Sequence, residues 1–128
     1  MNISLTGDER ASCKLGDTSL ADAVEAIRED GYVVIEQAVD HAHLDVLKER
    51  MDADSEKLIA MEKWGGAGRL PGHLQQGPPP YDPFVFADIV VNPYAVQIAK
   101  EMLGDGLYCS FYNGNTNRII DLKFDYLL

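Results

Sequence analysis

DGYVVIEQAVD, residues 30–40, decides the fold class. Within it YVVIE (32–36) is a short β-branched run of the kind that forms a buried strand. Gly31, just before it, stands where a helix C′ residue stands. Asp40, just after it, is placed to cap a new helix. A strand set between two helices predicts an α+β domain. Upstream, Ser19 and Asp22 form a capping-box-like start, and Leu20, Ala23, Val24 and Ile27 share one helical face up to about Asp30. Residues 1–17 are polar and mixed with no sustained period, and read as a flexible N-terminal arm.

Downstream of Asp40 the pattern predicts a helix of about 20 residues, with Leu44, Leu47, Met51 and Leu58 on its inner face. Asp52, Asp54, Glu56 and Lys57 fall largely outside that face, as a solvated helix surface does. From Trp64 to Pro83 half of the twenty residues are Gly or Pro, a density that no helix or central strand tolerates. A loop of this length inside one domain is usually functional or disordered. Trp64, Arg69, His73, Gln75, Gln76 and Tyr81 give it the side chains of a binding loop. FVFADIV (84–90) is a short apolar element. Asn92 with Pro93 opens a further helix, Val96, Ile98, Ala99, Met102 and Leu103 give it an apolar surface, and Gly104 closes it. LYCSFY (107–112) reads as a strand and Asn113-Gly114 as a type I′ hairpin turn. The tail from Ile120 alternates, with Ile120, Leu122, Phe124, Tyr126 and Leu128 on one side, as a half-buried strand would.

The 128 residues are a natural size for one domain, and 46% apolar with 25% charged is ordinary globular composition. The formal net charge of −10 argues against nucleic acid or an anionic membrane as a partner. No run of about 18 apolar residues occurs, and MNISLTGDER has no basic patch followed by an apolar stretch. Cys13 and Cys109 are too few and too far apart for a disulfide framework or a zinc knuckle. Two free thiols suit a reducing compartment, so the expected location is cytoplasmic.

The histidines are His41, His43 and His73. His43-Leu44-Asp45 spells the HxD pattern of mononuclear iron sites. On a helix, however, residues two apart point about 200° from each other, so the two side chains cannot share an ion. The same geometry separates His41 from His43. His41 and Asp45, four apart, share a face but make only two ligands, and the cluster reads as helix-surface polarity. His73 lies in the Gly/Pro-rich loop as a hydrogen-bonding or pocket-lining residue. No P-loop and no GxGxxG is present.

Four segments in this order and spacing resemble the phytanoyl-CoA dioxygenase-like family of Fe(II)/2-oxoglutarate oxygenases. They are DGYVVIEQAVD (30–40), GHLQQGPPP (72–80), VVNPYAVQIAKEMLGDGL (90–107) and FYNGNTN (111–117). The resemblance implies N-terminal helices plus the first strands of a double-stranded β-helix, a jelly-roll or cupin-like core that is incomplete here. It divides the chain into an arm (1–17), the N-terminal part of the family domain (18–117) and a divergent ending (118–128). It implies Fe(II) and 2-oxoglutarate in the complete domain, held by two histidines, a carboxylate and a late-strand cation, for oxidising a small-molecule substrate. In the family an HxD or HxE follows soon after the segment matching NGNTN. Here RIIDLKFDYLL follows, and no His occurs after His73. The resemblance therefore assigns no metal ligand and no catalytic residue to this chain, and no cofactor is expected for it. It places Tyr112, Asn113 and Asn115 on the 2-oxoglutarate side, and His73 and Gln75 on a loop overhanging the substrate entrance. The expectation is a truncated, non-catalytic relative with an ending replaced by frameshift, splicing or gene truncation. The alternative is a binding or regulatory module. An unfinished sheet leaves strand edges that recruit a full-length relative or a second copy.

Overall fold

The computed structural model describes residues 1–65 and 70–117. Helices and short strands are mixed, as an α+β chain requires, in two compact units. One comprises Met1–His43 with Phe86–Ser110; the other comprises Leu44–Val85 and the chain from Phe111 onward.

In the first unit, β1 (Asn2–Ser4) pairs in parallel with β2 (Val34–Glu36), with Asn2 opposite Val34, Ile3 opposite Ile35 and Ser4 opposite Glu36. The strand period of two sorts the side chains. Ile3 and Ile35 face the core. Asn2, Ser4, Val34 and Glu36 face outward, where Asn2 and Ser4 donate to the Glu36 carboxylate at 3.1 and 2.6 Å. The core joins Ile3, Leu5, Leu15, Ala23, Tyr94 and Ile98, with Leu20, Val24, Ile27, Val33 and Ile35 packed against it. Around it stand α1 (Gly7–Ser12), α2 (Asp17–Asp30) and α5 (Pro93–Leu103), with α2 packed on α5. The short helix α4 (Ala87–Val90) precedes α5.

The N-terminal residues are not an arm. Thr6 and Glu9 form a reciprocal capping box at the start of α1: Glu9 N–H donates to the Thr6 hydroxyl at 3.2 Å, and Thr6 N–H donates to the Glu9 carboxylate at 2.9 Å. The other carboxylate oxygen accepts Gly16 N–H at 2.8 Å, which fixes the turn into α2. Two α5 side chains then hold the segment. Tyr94 Oη donates to the Glu9 carbonyl at 3.2 Å, and the Gln97 amide clasps Leu15, accepting its N–H at 2.8 Å and donating to its carbonyl at 3.1 Å. Ile3, Leu5 and Leu15 supply the apolar contacts that a sparse sequence period concealed. Consequently α2 begins at Asp17 after Gly16, not at Ser19.

The other boundaries follow their signals. Gly31 ends α2 with φ 82°, the left-handed conformation that glycine adopts without strain. Asp40 Oδ1 accepts Ala42 N–H at 2.9 Å, and α3 runs His41–Ala60. Its buried positions are Leu47 and Ser55, eight apart, whereas Leu44 is exposed. Asn92 caps α5 by accepting Ala95 N–H at 3.1 Å, and its amide donates to the Ala38 and Asp88 carbonyls.

In the second unit a strand does form inside the Gly/Pro-rich segment. β3 (His73–Gln75) pairs antiparallel with β4 (Asn115–Asn117). It is three residues long and flanked by the loops that the composition demands. Residues 107–112 form no strand, and neither Asn113 nor Gly114 adopts positive φ, so no type I′ turn exists. The reason is the partner: Gln76 N–H takes the Gly114 carbonyl at 2.9 Å, drawing this stretch into the ladder with β3 instead of back on 107–112. The alternating tail from Ile120 lies outside the described residues.

Glu9 links this fold to pH. The N–H groups of Thr6 and Gly16, then the Ser19 and Thr6 hydroxyls, lower its pKa from the ordinary 4.5 to about 2. The folded state binds this proton more weakly than the unfolded chain does. Its stabilising effect is therefore complete above about 4.5 and is lost as pH falls toward about 2. Urea unfolding should show a midpoint that declines over that window in the wild type. In Glu9→Gln the decline should be shallower, from a lower starting midpoint at neutral pH. Parallel declines in the two proteins would remove Glu9 from this role.

Candidate functional site

β3 and β4 bring separated sequence candidates together. In the ladder His73 is opposite Asn117, Leu74 opposite Thr116 and Gln75 opposite Asn115. Alternation puts His73, Gln75, Asn115 and Asn117 on one face and Leu74 with Thr116 on the other. Leu74 is fully buried and anchors the pair. The opposite face is a patch of three amides and an imidazole, in which His73 Nδ1 and Asn117 Oδ1 lie 2.8 Å apart. A face of this kind offers donors and acceptors in one plane and can orient a polar ligand.

Glycines allow the backbone segments to meet. A Cβ on Gly65 would lie 2.3 Å from Gln75 N, and one on Gly77 would lie 2.9 Å from Asn113 Oδ1. Gly65 N–H also donates to the His73 carbonyl at 2.8 Å. Asn113 is thus set against the Gly77 turn, and its Oδ1 accepts Gly114 N–H at 2.8 Å.

Beside the ladder two polar groups are buried without a partner among the described residues: Gln76 Oε1 and Tyr112 Oη. Gln76 is 6% exposed, and its Nε2 donates to the Met51 carbonyl at 2.8 Å. Burial pushes the Tyr112 hydroxyl above its ordinary pKa, keeping it a neutral donor. Buried polar atoms without a partner are uncommon in folded proteins. Gln76 also lines a depression of about 360 Å³ walled by Leu58, Met61, Pro78, Pro80 and Tyr81. Arg50 lies over the rings of Tyr81 and Phe84, at 6.0 and 5.4 Å from their centroids. Its hydrogen bond to Asp54, at 2.6 Å, raises the guanidinium pKa and lowers that of the carboxyl. Asp54, read from sequence as solvated surface, is in fact partly buried and also binds Lys57 at 3.1 Å.

The first unit answers the HxD question differently. His43 turns to Asp88, with Nδ1 at 2.8 Å from Oδ1, and stacks on Phe86 at 4.1 Å between centroids and 13° between planes. Asp88 Oδ2 accepts Asp40 N–H at 2.9 Å. Burial pushes the Asp88 carboxyl up, but the bonds from Asp40 and His43 together outweigh it and hold its pKa below the usual value. The pair ties the start of α3 to α4. Nothing in the sequence signals a partner 45 residues away.

His43 is committed to Asp88 and His73 to Asn117. Among the described residues no group of three His, Cys, Asp or Glu side chains is placed to hold an ion. No helix is long and apolar enough to cross a membrane, again among the described residues. No protein-family model matches the chain.

Gly65→Ala tests the close approach. With backbone in the way at 2.3 Å, the β3 side must shift, and overpacking of this kind costs typically about 1–3 kcal/mol. The expected outcome is a lower urea midpoint with faster amide exchange at Leu74 and Thr116. Unchanged exchange at both would show that the segments do not meet there.

Proposed function

We propose that this chain represents the N-terminal portion of a phytanoyl-CoA dioxygenase-like oxygenase, and that these 128 residues alone do not catalyse oxidation. The observation that carries the reading is the order and spacing of the four resembling segments. The pairing of two of them supports it: GHLQQGPPP contributes β3, and FYNGNTN contributes β4. His73 and Gln75, which the resemblance puts at the substrate entrance, and Asn115, which it puts on the 2-oxoglutarate side, share one face of that ladder. The Tyr112 hydroxyl, buried without a partner among the described residues, lies three residues before β4. On this reading the face belongs to a small-molecule site that a complete domain would close. Iron and 2-oxoglutarate belong to that complete domain, because here no HxD or HxE follows NGNTN and no His occurs after His73.

A second reading makes the chain a non-catalytic binding or regulatory module that pairs through open sheet edges with a full-length relative. It is favoured by the two-stranded extent of both sheets among the described residues, since sheets of two short strands are marginal by themselves.

Two measurements test the first reading. Titrating the purified chain with Fe(II) and 2-oxoglutarate should give neither tight binding nor co-substrate decarboxylation. Stoichiometric iron or succinate release would overturn the non-catalytic assignment. The family assignment is tested in the gene, where DNA downstream of the Asn117 codon should encode an HxD or HxE segment in another frame or exon. Its absence would remove the main support for kinship.

A further inference from the structure

The depression of about 360 Å³ beside Gln76 lies wholly within the second unit, between α3 and the chain that follows β3. Its volume falls in the range of small-molecule sites. Asp54, Lys57, Leu58 and Met61 stand at i, i+3, i+4 and i+7, and so form one stripe of α3. The other wall is Pro78, Pro79 and Pro80, followed by Tyr81. Prolines have no N–H, so this wall presents ring methylenes and no backbone donor. Proline surfaces pack against flat aromatic faces, as proline-rich segments do in aromatic-lined grooves. The walls therefore suit a flat ring.

Charge selects one end of the ligand. The Asp54 carboxylate takes two cations, Arg50 Nε on Oδ2 at 2.6 Å and Lys57 Nζ on Oδ1 at 3.1 Å. One negative charge against two positive ones leaves a local positive excess, in a chain whose net charge is −10. Of the two cations Lys57 lines the depression, whereas Arg50 lies over the rings of Tyr81 and Phe84. The Lys57 side chain is 68% exposed, and Asp54 occupies only part of its N–H donors. Arg50 holds Asp54 by the other oxygen. An anion can therefore add to Lys57 without leaving Asp54 unpaired.

Gln76 selects the other end. It lines the same depression, and its Nε2 is spent on the Met51 carbonyl at 2.8 Å. What the amide retains is Oε1, an acceptor that is buried with no partner among the described residues. A ligand resting on the rim cannot touch it. A ring seated fully between α3 and the prolines reaches that wall with whatever donor its far end carries.

We propose that the depression binds a small aromatic carboxylic acid with a hydroxyl or N–H on its ring. The ring packs between Leu58, Met61 and the prolines, the carboxylate accepts from Lys57, and the ring's donor bonds Gln76 Oε1. None of these contacts depends on the oxygenase reading.

The test uses the whole chain, isotope-labelled, with para-hydroxyphenylacetate as probe. Titration should shift the Leu58 and Met61 methyl signals and the Gln76 side-chain amide signals together and to saturation. Phenylacetate, which lacks the hydroxyl, should bind about tenfold or more weakly. Tyramine, with an ammonium in place of the carboxylate, should also bind about tenfold or more weakly. Lys57→Gln should weaken binding of the acid about fivefold or more and narrow its advantage over tyramine, with circular dichroism and melting temperature nearly unchanged because an exposed ion pair adds little stability. Equal binding of phenylacetate would overturn the role of Gln76, and equal binding of tyramine would overturn that of Lys57; either removes the ligand class. Shifts confined to residues outside the depression would overturn the site, and no shift at any signal would remove the proposal.

Discussion

The first unit depends on one amide. Gln97 satisfies both backbone groups of Leu15, and that clasp fixes where the N-terminal segment crosses α5. Leu15 is then 2% exposed, so neither its N–H nor its carbonyl has an alternative in water. Leaving a buried group unpaired costs about 1–3 kcal/mol, so truncating Gln97 would cost more than the net worth of two hydrogen bonds. Tyr94, three residues earlier on α5, takes the Glu9 carbonyl from the same side. With the segment held, the Glu9 carboxylate can receive Thr6 and Gly16 together, and the chain can turn from α1 into α2. That turn positions β1 beside β2. The small sheet is thus a consequence of the contacts that α5 makes with residues about 80 positions earlier.

The second unit is organised by the absence of side chains. Its ladder contains one fully buried side chain, Leu74, the backbone of Gln75 approaches too closely for a Cβ at Gly65, and the Asn113 side chain stands 2.9 Å from where one would lie on Gly77. The Gly/Pro density that forbids a long element is what admits a short one. Prolines limit the flanking conformations, glycines allow the contact, and three residues suffice to pair. The outcome is a polar face of three amides and the His73 imidazole. Such a face discriminates by hydrogen-bond geometry more than by charge.

Much of this was legible. Gly31, Asp40, Asn92-Pro93 and Gly104 mark boundaries through local backbone requirements, and local requirements survive whatever the tertiary structure does. The capping box at Thr6–Glu9 was legible too, but an N-terminal stretch with only Ile3, Leu5 and Leu15 for core shows no period to draw attention to it. Ser19 and Asp22 offered a competing start that the Glu9–Gly16 bond overrides. LYCSFY has the composition of a strand, yet a strand exists only against a partner, and β3 takes the residues just beyond it. Of the candidate site, His73, Gln75 and Asn115 could be named from sequence. That they share a face could not, because register is set by pairing and not by residue type.

Two kinds of polar group remain, and they differ in energy. The Lys57 ammonium lies where water can reach it, so a ligand carboxylate exchanges one set of hydrogen bonds for another at a net gain of about 1 kcal/mol or less. Gln76 Oε1 and Tyr112 Oη, by contrast, are buried, with no partner among the described residues. A carboxylic acid cannot therefore bind on Lys57 alone. Its affinity must come from apolar surface, at roughly 25 cal/mol per Å² buried, and the walls formed by Leu58, Met61 and the prolines are the surface beside that cation able to supply it. A cation flanked by such walls is selective for an acid that carries a ring, because one that brought only its carboxylate would gain almost nothing over water.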